Sequence, residues 1–450
     1  MDQHVEVSIE GRLLLPTGLT DGCVGITGGR IVAIKKILEG ETHYDRSHHL
    51  VVPAAVDMHV HFRQPGDRRK GTFATESRAA AFGGVTAVAD MPNNAPPAVD
   101  PRSWKAKHEE VSGTSFVDYA LYMGLGKDLD IYYLGMATGL FKLYIASSTG
   151  DLLVRDKDRW VQSLAKTLEA GGHVVVHAED QAAIERAEPT GEELEWHHTH
   201  RPPLGEASAV DQVGKVALTT GMPAKAHVAH VSCREALAAL GGYGMSAEVA
   251  PHHLFLDMRR EDLGARGKVN PPLRTDLDRA ELWSALGDGR IPIVASDHAP
   301  HTQEEKALRF PDAPSGIPGV ETMVPLLMAE VKNGRISLER MVNAVSFRPA
   351  AYLGLAPRGL GVGNEAHIAV YDPRGVRRID EDRLHQQCGW SPYHGMEAIF
   401  PDLVVSPGGV LVDDGEVQQS KPTGRYVGLT LEDLVALDKG GGGSSLTPSS

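Results

Sequence analysis

Two histidines one residue apart, His59 and His61, close an apolar run that begins at Val51-Val52-Pro53. In a strand, residues two apart point to the same face, so both imidazoles project together from a buried segment. That pairing is half of a nitrogen-ligated metal site. Other apolar runs end in residues of the same kind. Arg63 follows His61, Asn93 follows the second run, Lys142 lies within the fourth, His177 ends the fifth, His230 lies in the sixth and Asp297 ends the eighth. Four imidazoles, a lysine and a carboxylate brought to one place are hard to read as structure alone, because each buried polar group needs its own partner. Nitrogen and carboxylate donors without thiolates suit Zn2+, with Mn2+, Co2+ or Fe2+ as alternatives. Six ligand groups exceed what one four-coordinate zinc uses, and two metals sharing a bridge fit the number better.

For these residues to converge, the runs that carry them must be neighbouring strands. Eight runs are legible, at 51–59, 85–90, 116–121, 140–144, 173–177, 226–231, 247–250 and 291–297, separated by longer stretches of helical character. Strand and helix alternating in this way imply a parallel sheet within an α/β fold. Eight units over about three hundred residues imply a closed (β/α)8 TIM barrel whose chemistry sits at the C-terminal strand ends. The alternative, an open doubly wound sheet, would carry a glycine-rich phosphate loop after its first strand, and the sequence has none there. The two chain ends have a different texture. Residues 5–9, 23–26 and 30–34, with a Gly28-Gly29 turn, read as an antiparallel hairpin set, and 367–371 and 409–412 resemble them. Neither end makes a core alone, so the two are expected to pair as one small split β-sandwich. The expected divisions are 1–50 with 356–430 for the sandwich, 51–355 for the barrel, and 431–450 for a flexible tail rich in glycine and serine.

At 450 residues, 42% hydrophobic and 23% charged, the composition is that of a globular enzyme, and a formal charge of -14 argues against a nucleic-acid surface. An anionic substrate would need a local positive pocket. Cys23, Cys233 and Cys388 are too few and too scattered for a disulfide framework or a thiolate zinc site, which points to a reducing cytoplasm. Met1-Asp2-Gln3-His4-Val5 lacks a basic region followed by an apolar stretch, and no apolar run approaches spanning length, so neither export nor a membrane anchor is expected.

In order along the chain stand Asp57-Met58-His59-Val60-His61-Phe62-Arg63-Gln64-Pro65-Gly66, Asp90-Met91-Pro92-Asn93-Asn94, Phe141-Lys142-Leu143-Tyr144 and His177-Ala178-Glu179-Asp180. His227-Val228-Ala229-His230-Val231-Ser232, Pro251-His252-His253-Leu254, Lys268-Val269-Asn270-Pro271-Pro272-Leu273-Arg274, Ser296-Asp297-His298-Ala299-Pro300-His301 and Pro314-Ser315-Gly316-Ile317-Pro318-Gly319 follow. As a set these motifs resemble the dihydroorotases of the amidohydrolase superfamily. The resemblance implies two zinc ions per chain, one held by His59, His61 and Asp297 and the other by His177 and His230, with Lys142 as a bridging N6-carboxylysine. The physics agrees: a lysine among apolar neighbours and cations has a depressed pKa, and its free amine can take up CO2 to become an anionic bridge. Some relatives bridge through a later aspartate, and Asp151 is the alternative here. The implied reaction is the reversible cyclisation of N-carbamoyl-L-aspartate to L-dihydroorotate in pyrimidine (UMP) biosynthesis. Asp297 would be the catalytic group, passing a proton between the attacking water and the ring nitrogen. Arg63, Asn93 and His301 would hold the substrate carboxylate, and Asn270 and the backbone near Gly316 would contact the ring. By analogy alone the resemblance implies a homodimer and allows an association with aspartate transcarbamoylase.

Allantoinase and dihydropyrimidinase are the nearest alternatives; they share barrel and metals but have no substrate carboxylate to bind, which makes Arg63 the discriminating residue. A metal-free, dihydroorotase-like scaffold supporting a partner is the alternative from another class. Other histidines read as bystanders. His197, His198 and His200 sit in a polar connection, as a loop or interface. His252 and His253 follow a strand end and shape the site wall by hydrogen bonding. His227, three residues from His230, points to the opposite strand face.

Overall fold

The computed structural model describes residues 4–126, 139–148, 150, 152–187 and 193–428. Asp151 and the tail 431–450 lie outside the described residues. The barrel strands are Ala55–Val60, Val85–Asp90, Asp118–Leu121 continued by Met123–Gly124, Leu140–Tyr144, His173–His177, Ala226–Val228, Ser246–Val249 and Ile293–Val294. Each pairs in parallel with the next. The ring is closed by a parallel bridge between Val60 and His298 and by the His61 N–H donating to the His298 carbonyl at 2.8 Å.

The two-residue period of a strand decides which side chains enter the barrel. In His173–His177, Val174 and Val176 pack into the outer core beneath the helices, whereas Val175 belongs to the inner cluster with Met58, Ala89, Tyr122 and Ala229. His177 therefore faces the axis. Lys142 does so by the same rule, since its neighbours Phe141 and Leu143 both pack outward. The interior is not uniformly apolar: Asp57, Lys142, His227 and Glu248 are all buried in it.

The two chain ends combine into one eight-stranded mixed sheet. Its members are Val7–Leu15, Gly18–Thr27, Arg30–Lys35, Thr42–Pro53, Ile368–Tyr371, Leu403–Ser406, Gly409–Asp413 and Glu416–Val417. Two expectations need correcting. Val7–Leu15 pairs antiparallel with Gly18–Thr27 but parallel with Thr42–Pro53, so the N-terminal part is not a pure hairpin set. Val51, Val52 and Pro53, read as the start of the first barrel strand, pair instead with Ile368–Tyr371 and end the sheet strand, because the apolar run serves two elements in succession. A contiguous core of Ile9, Val24, Ile31, Val51, Ile368 and Val405 joins residues from both ends of the chain.

The segment around Tyr426 ties the chain end to the barrel. Tyr119 donates its N–H to the Arg425 carbonyl and accepts from Val427, each at 2.9 Å. Arg425 donates to Asp118 at 2.9 Å and to both carboxylate oxygens of Glu365 at 3.0 Å. Asp118 is buried, so removing this guanidinium leaves a carboxylate short of a partner. Arg425→Ala is expected to lower the unfolding free energy by about 1–3 kcal/mol. Urea denaturation checks this, and an unchanged midpoint would show that the segment carries no load. Among the described residues no helix is long and apolar enough to cross a membrane.

Candidate active site

The ligand atoms of His59, His61 and Asp297 lie within 4.8 Å of one another. The Nε2 atoms of both histidines are 3.3 Å from Asp297 Oδ1. Lys142 Nζ is 3.4 Å from His59 Nε2, and His177 Nδ1 is 3.0 Å from His230 Nε2. The His59 and His230 rings are 5.4 Å apart, which joins the two groups into one buried cluster. Strand alternation does not account for all of it. The first strand ends at Val60, so His61 and Arg63 lie beyond it, and His230 and Asp297 also follow their strands. Arg63, His230 and Asp297 have φ of 63°, 37° and 47°, a region costly for side chains with a Cβ and found where surrounding structure over-determines it.

Each of the four clustered histidines but one is held from behind. His59 Nδ1 makes a very short contact with Glu248, whose other oxygen is 3.1 Å from His227 Nε2. His61 Nδ1 meets Asn93 Oδ1 at 2.6 Å, and His177 Nε2 meets Glu179 Oε2 at 2.8 Å. An acceptor behind one ring nitrogen places the proton there and leaves the other nitrogen with a lone pair facing the cluster. Burial holds all four imidazoles below their usual pKa, His59 down to about 4, with Lys142 adding to the effect against the opposing pull of Glu248. They are neutral near pH 7, the ligating form. Burial also pushes Lys142 down to about 8, against Glu248 and Asp297. Glu179 is the reverse case: burial opposes its charge, but Arg201 and His177 outweigh burial and hold it well below the usual range. Neutral imidazoles, a carboxylate and no thiolate make a donor set that fits a zinc-type ion.

On the substrate side, Arg63, Asn93, Asn270 and Gly316 line the cleft together with the cluster. Arg63 is 8% exposed and donates from Nε to the Pro300 carbonyl at 3.1 Å. His301 is fully buried against two residues of that wall, Arg63 and Gly316. It packs behind Arg63, 3.3 Å from its NH2, with Nε2 3.1 Å from the Ser315 carbonyl. His301 Nε2 thus lies between the donating Arg63 NH2 and the accepting Ser315 carbonyl, which links the guanidinium to the Ser315 backbone. Gly316 has φ of 149°, and a Cβ there would stand 2.5 Å from the Ala299 carbonyl, so this wall requires glycine. Tyr144, two residues after Lys142, also lines the cleft, and its buried hydroxyl makes no hydrogen bond within the described residues.

The amidohydrolase family profile matches residues 50–402. A dihydroorotase of Halobacterium salinarum is 38% identical over 415 residues, covering 90% of this chain and 97% of that one. A dihydroorotase of Methanosarcina mazei is 35% identical over 441 residues, covering 92% and 96%. The chain belongs to the amidohydrolase family, among the dihydroorotases. Solved hydantoinase structures resemble it closely. An L-hydantoinase (dihydropyrimidinase) from Arthrobacter aurescens superposes with a TM-score of 0.87 at 26% identity, covering 94% of this chain and all of that one. A D-hydantoinase from a Bacillus sp. gives 0.85 at 27%, covering 94% and 98%.

Several histidines of this amidohydrolase differ from their reading in the sequence. His197 lies in a helix, Leu194–His200, not in a loop, and its Nε2 is 2.9 Å from Asn270 Oδ1. His227 does not turn away from the site. The strand ends at Val228, so alternation no longer relates His227 to His230, and Glu248 contacts the His227 ring and the His230 backbone. His253 donates to the Pro271 carbonyl at 3.2 Å, whereas neither ring nitrogen of His252 has a partner among the described residues. A second constellation with ligand-like spacing, Asp118, Glu365 and His367, has both carboxylates engaged by Arg425.

Proposed function

We propose that this dihydroorotase interconverts N-carbamoyl-L-aspartate and L-dihydroorotate in pyrimidine biosynthesis, using two zinc ions bridged by N6-carboxylated Lys142. The observation that carries the reading is the single cluster of four neutral imidazoles, Asp297 and Lys142 at the barrel's C-terminal face. His59, His61 and Asp297 would hold one ion, and His177 and His230 the other. Ions bound there supply Lewis acidity toward the amide carbonyl and lower the pKa of water.

The chain's own groups do the rest. Asp297, whose Oδ1 faces both His59 and His61, accepts on its carboxylate the proton from the attacking water and returns it to the ring nitrogen as the amide bond breaks; cyclisation reverses the transfer. Burial raises the Asp297 pKa, which makes its carboxylate a better proton acceptor than an exposed one. Arg63 pairs with the substrate carboxylate, and His301, against both the Arg63 NH2 and the Ser315 carbonyl, supports that pair. Asn93 spends its Oδ1 on His61, so its first task is to orient that ligand. Asn270, placed by His197, faces the ring. The three free, buried cysteines accord with a cytoplasmic enzyme.

Elemental analysis of gently purified protein is expected to approach two metal equivalents per chain. Active protein with reproducibly near zero metal would overturn the proposal. The hydantoinases' structural likeness supports a second reading, a cyclic-amide hydrolase acting on rings without a carboxylate.

A further inference from the structure

We infer that Glu179, held by Arg201, is a positioning residue for the second metal, fixing His177 with Nδ1 turned into the cleft. The inference rests on the two-metal reading above. A carboxylate can only accept, so the 2.8 Å contact of Glu179 Oε2 with His177 Nε2 puts the ring proton on Nε2 and leaves a lone pair on Nδ1. That Nδ1 is the atom 3.0 Å from His230 Nε2.

Glu179 is only 2% exposed, and a buried carboxylate without a cation is costly. Arg201, itself 5% exposed, answers this with Nε at 3.0 Å from one Glu179 oxygen and NH2 at 2.5 Å from the other. The same NH2 donates at 2.7 Å to the carbonyl of Ser147, which lies beyond the strand that carries Lys142. One guanidinium thus fixes the support of His177 relative to the segment that follows the proposed bridge.

The two halves of the cluster are supported unequally. His59 has Glu248 behind it and His61 has Asn93, but His230 Nδ1 is buried with no partner among the described residues. Loss of Glu179 leaves the His177/His230 pair with no carboxylate behind either ring, while the His59/His61/Asp297 group keeps its own supports. The effect on metal binding is therefore selective.

The test is Zn2+ titration of metal-stripped full-length protein against a chromophoric chelator, comparing wild type with Glu179→Gln and Arg201→Lys. In Glu179→Gln the second equivalent should bind about 10- to 100-fold more weakly, with the first within about threefold of wild type. Arg201→Lys should shift the second equivalent in the same direction by a smaller factor, and it decides the matter if the glutamine variant does not fold. Two equivalents in wild type with the second unchanged in the variants, or both weakened alike, overturn this inference alone. A wild-type chain that takes up one equivalent overturns the two-metal reading and the inference with it.

Discussion

Replacing Lys142 by alanine is expected to remove nearly all activity, by more than about 1000-fold, or about 4 kcal/mol at the transition state. Lys142 is 1% exposed and its Nζ stands 3.4 Å from His59 Nε2, inside the ligand cluster. A protonated ammonium there would repel any cation. Burial makes that form costly and pushes the pKa down to about 8, so an appreciable share of free amine is present near neutral pH and can take up CO2. Because the folded pKa is lowered, the reactive amine is populated as pH rises. Reactivation of metal-stripped protein by bicarbonate and zinc should therefore be faster above about 8 than below it. Acetate or propionate should partly restore Lys142→Ala by occupying the vacated space with a carboxylate. Asp151→Ala should do far less, and the opposite pattern would move the bridge to Asp151.

The barrel was legible because its strands end in polar residues after apolar runs, and that pattern needs no tertiary information. What followed each strand was less so. Arg63, His230 and Asp297 reach the cluster through left-handed backbone, which a two-residue period cannot express. Val51-Val52-Pro53 and the strand after it form one apolar run in sequence, and only the pairing with Ile368–Tyr371 divides it. Glu248 was missed because its partner His59 is 189 positions away. Its signal was a single carboxylate between the apolar residues Ala247 and Val249 of the strand Ser246–Val249, where burial demands a cation or donors. Glu179 stood inside a recognised motif, but its role depends on Arg201, 22 residues on. His197 was set aside with its neighbours, since nothing in the sequence relates it to Asn270, 73 positions later.

Arg63→Met is expected to separate substrate class from hydrolytic chemistry. Arg63 lines the cleft at 8% exposure, is held by the Pro300 carbonyl, and lies outside the His59/His61/Asp297 group. Burial lowers its pKa from a high starting value, and a guanidinium stays charged regardless. In a chain of net charge -14 it is the cation best placed to receive an anion beside the ligand cluster. A charge-assisted pair with the substrate carboxylate should be worth on the order of 2 to 5 kcal/mol, since its loss leaves the anion poorly paired in a buried site. Dihydroorotate turnover should fall accordingly while metal content stays at the wild-type value. Dihydrouracil, a ring without the carboxylate, should lose little further. The solved hydantoinases share this barrel, so the comparison between the two rings decides between the two readings. Unchanged dihydroorotate kinetics in Arg63→Met, or a wild-type preference for dihydrouracil, would overturn the dihydroorotase proposal in favour of a dihydropyrimidinase-like enzyme.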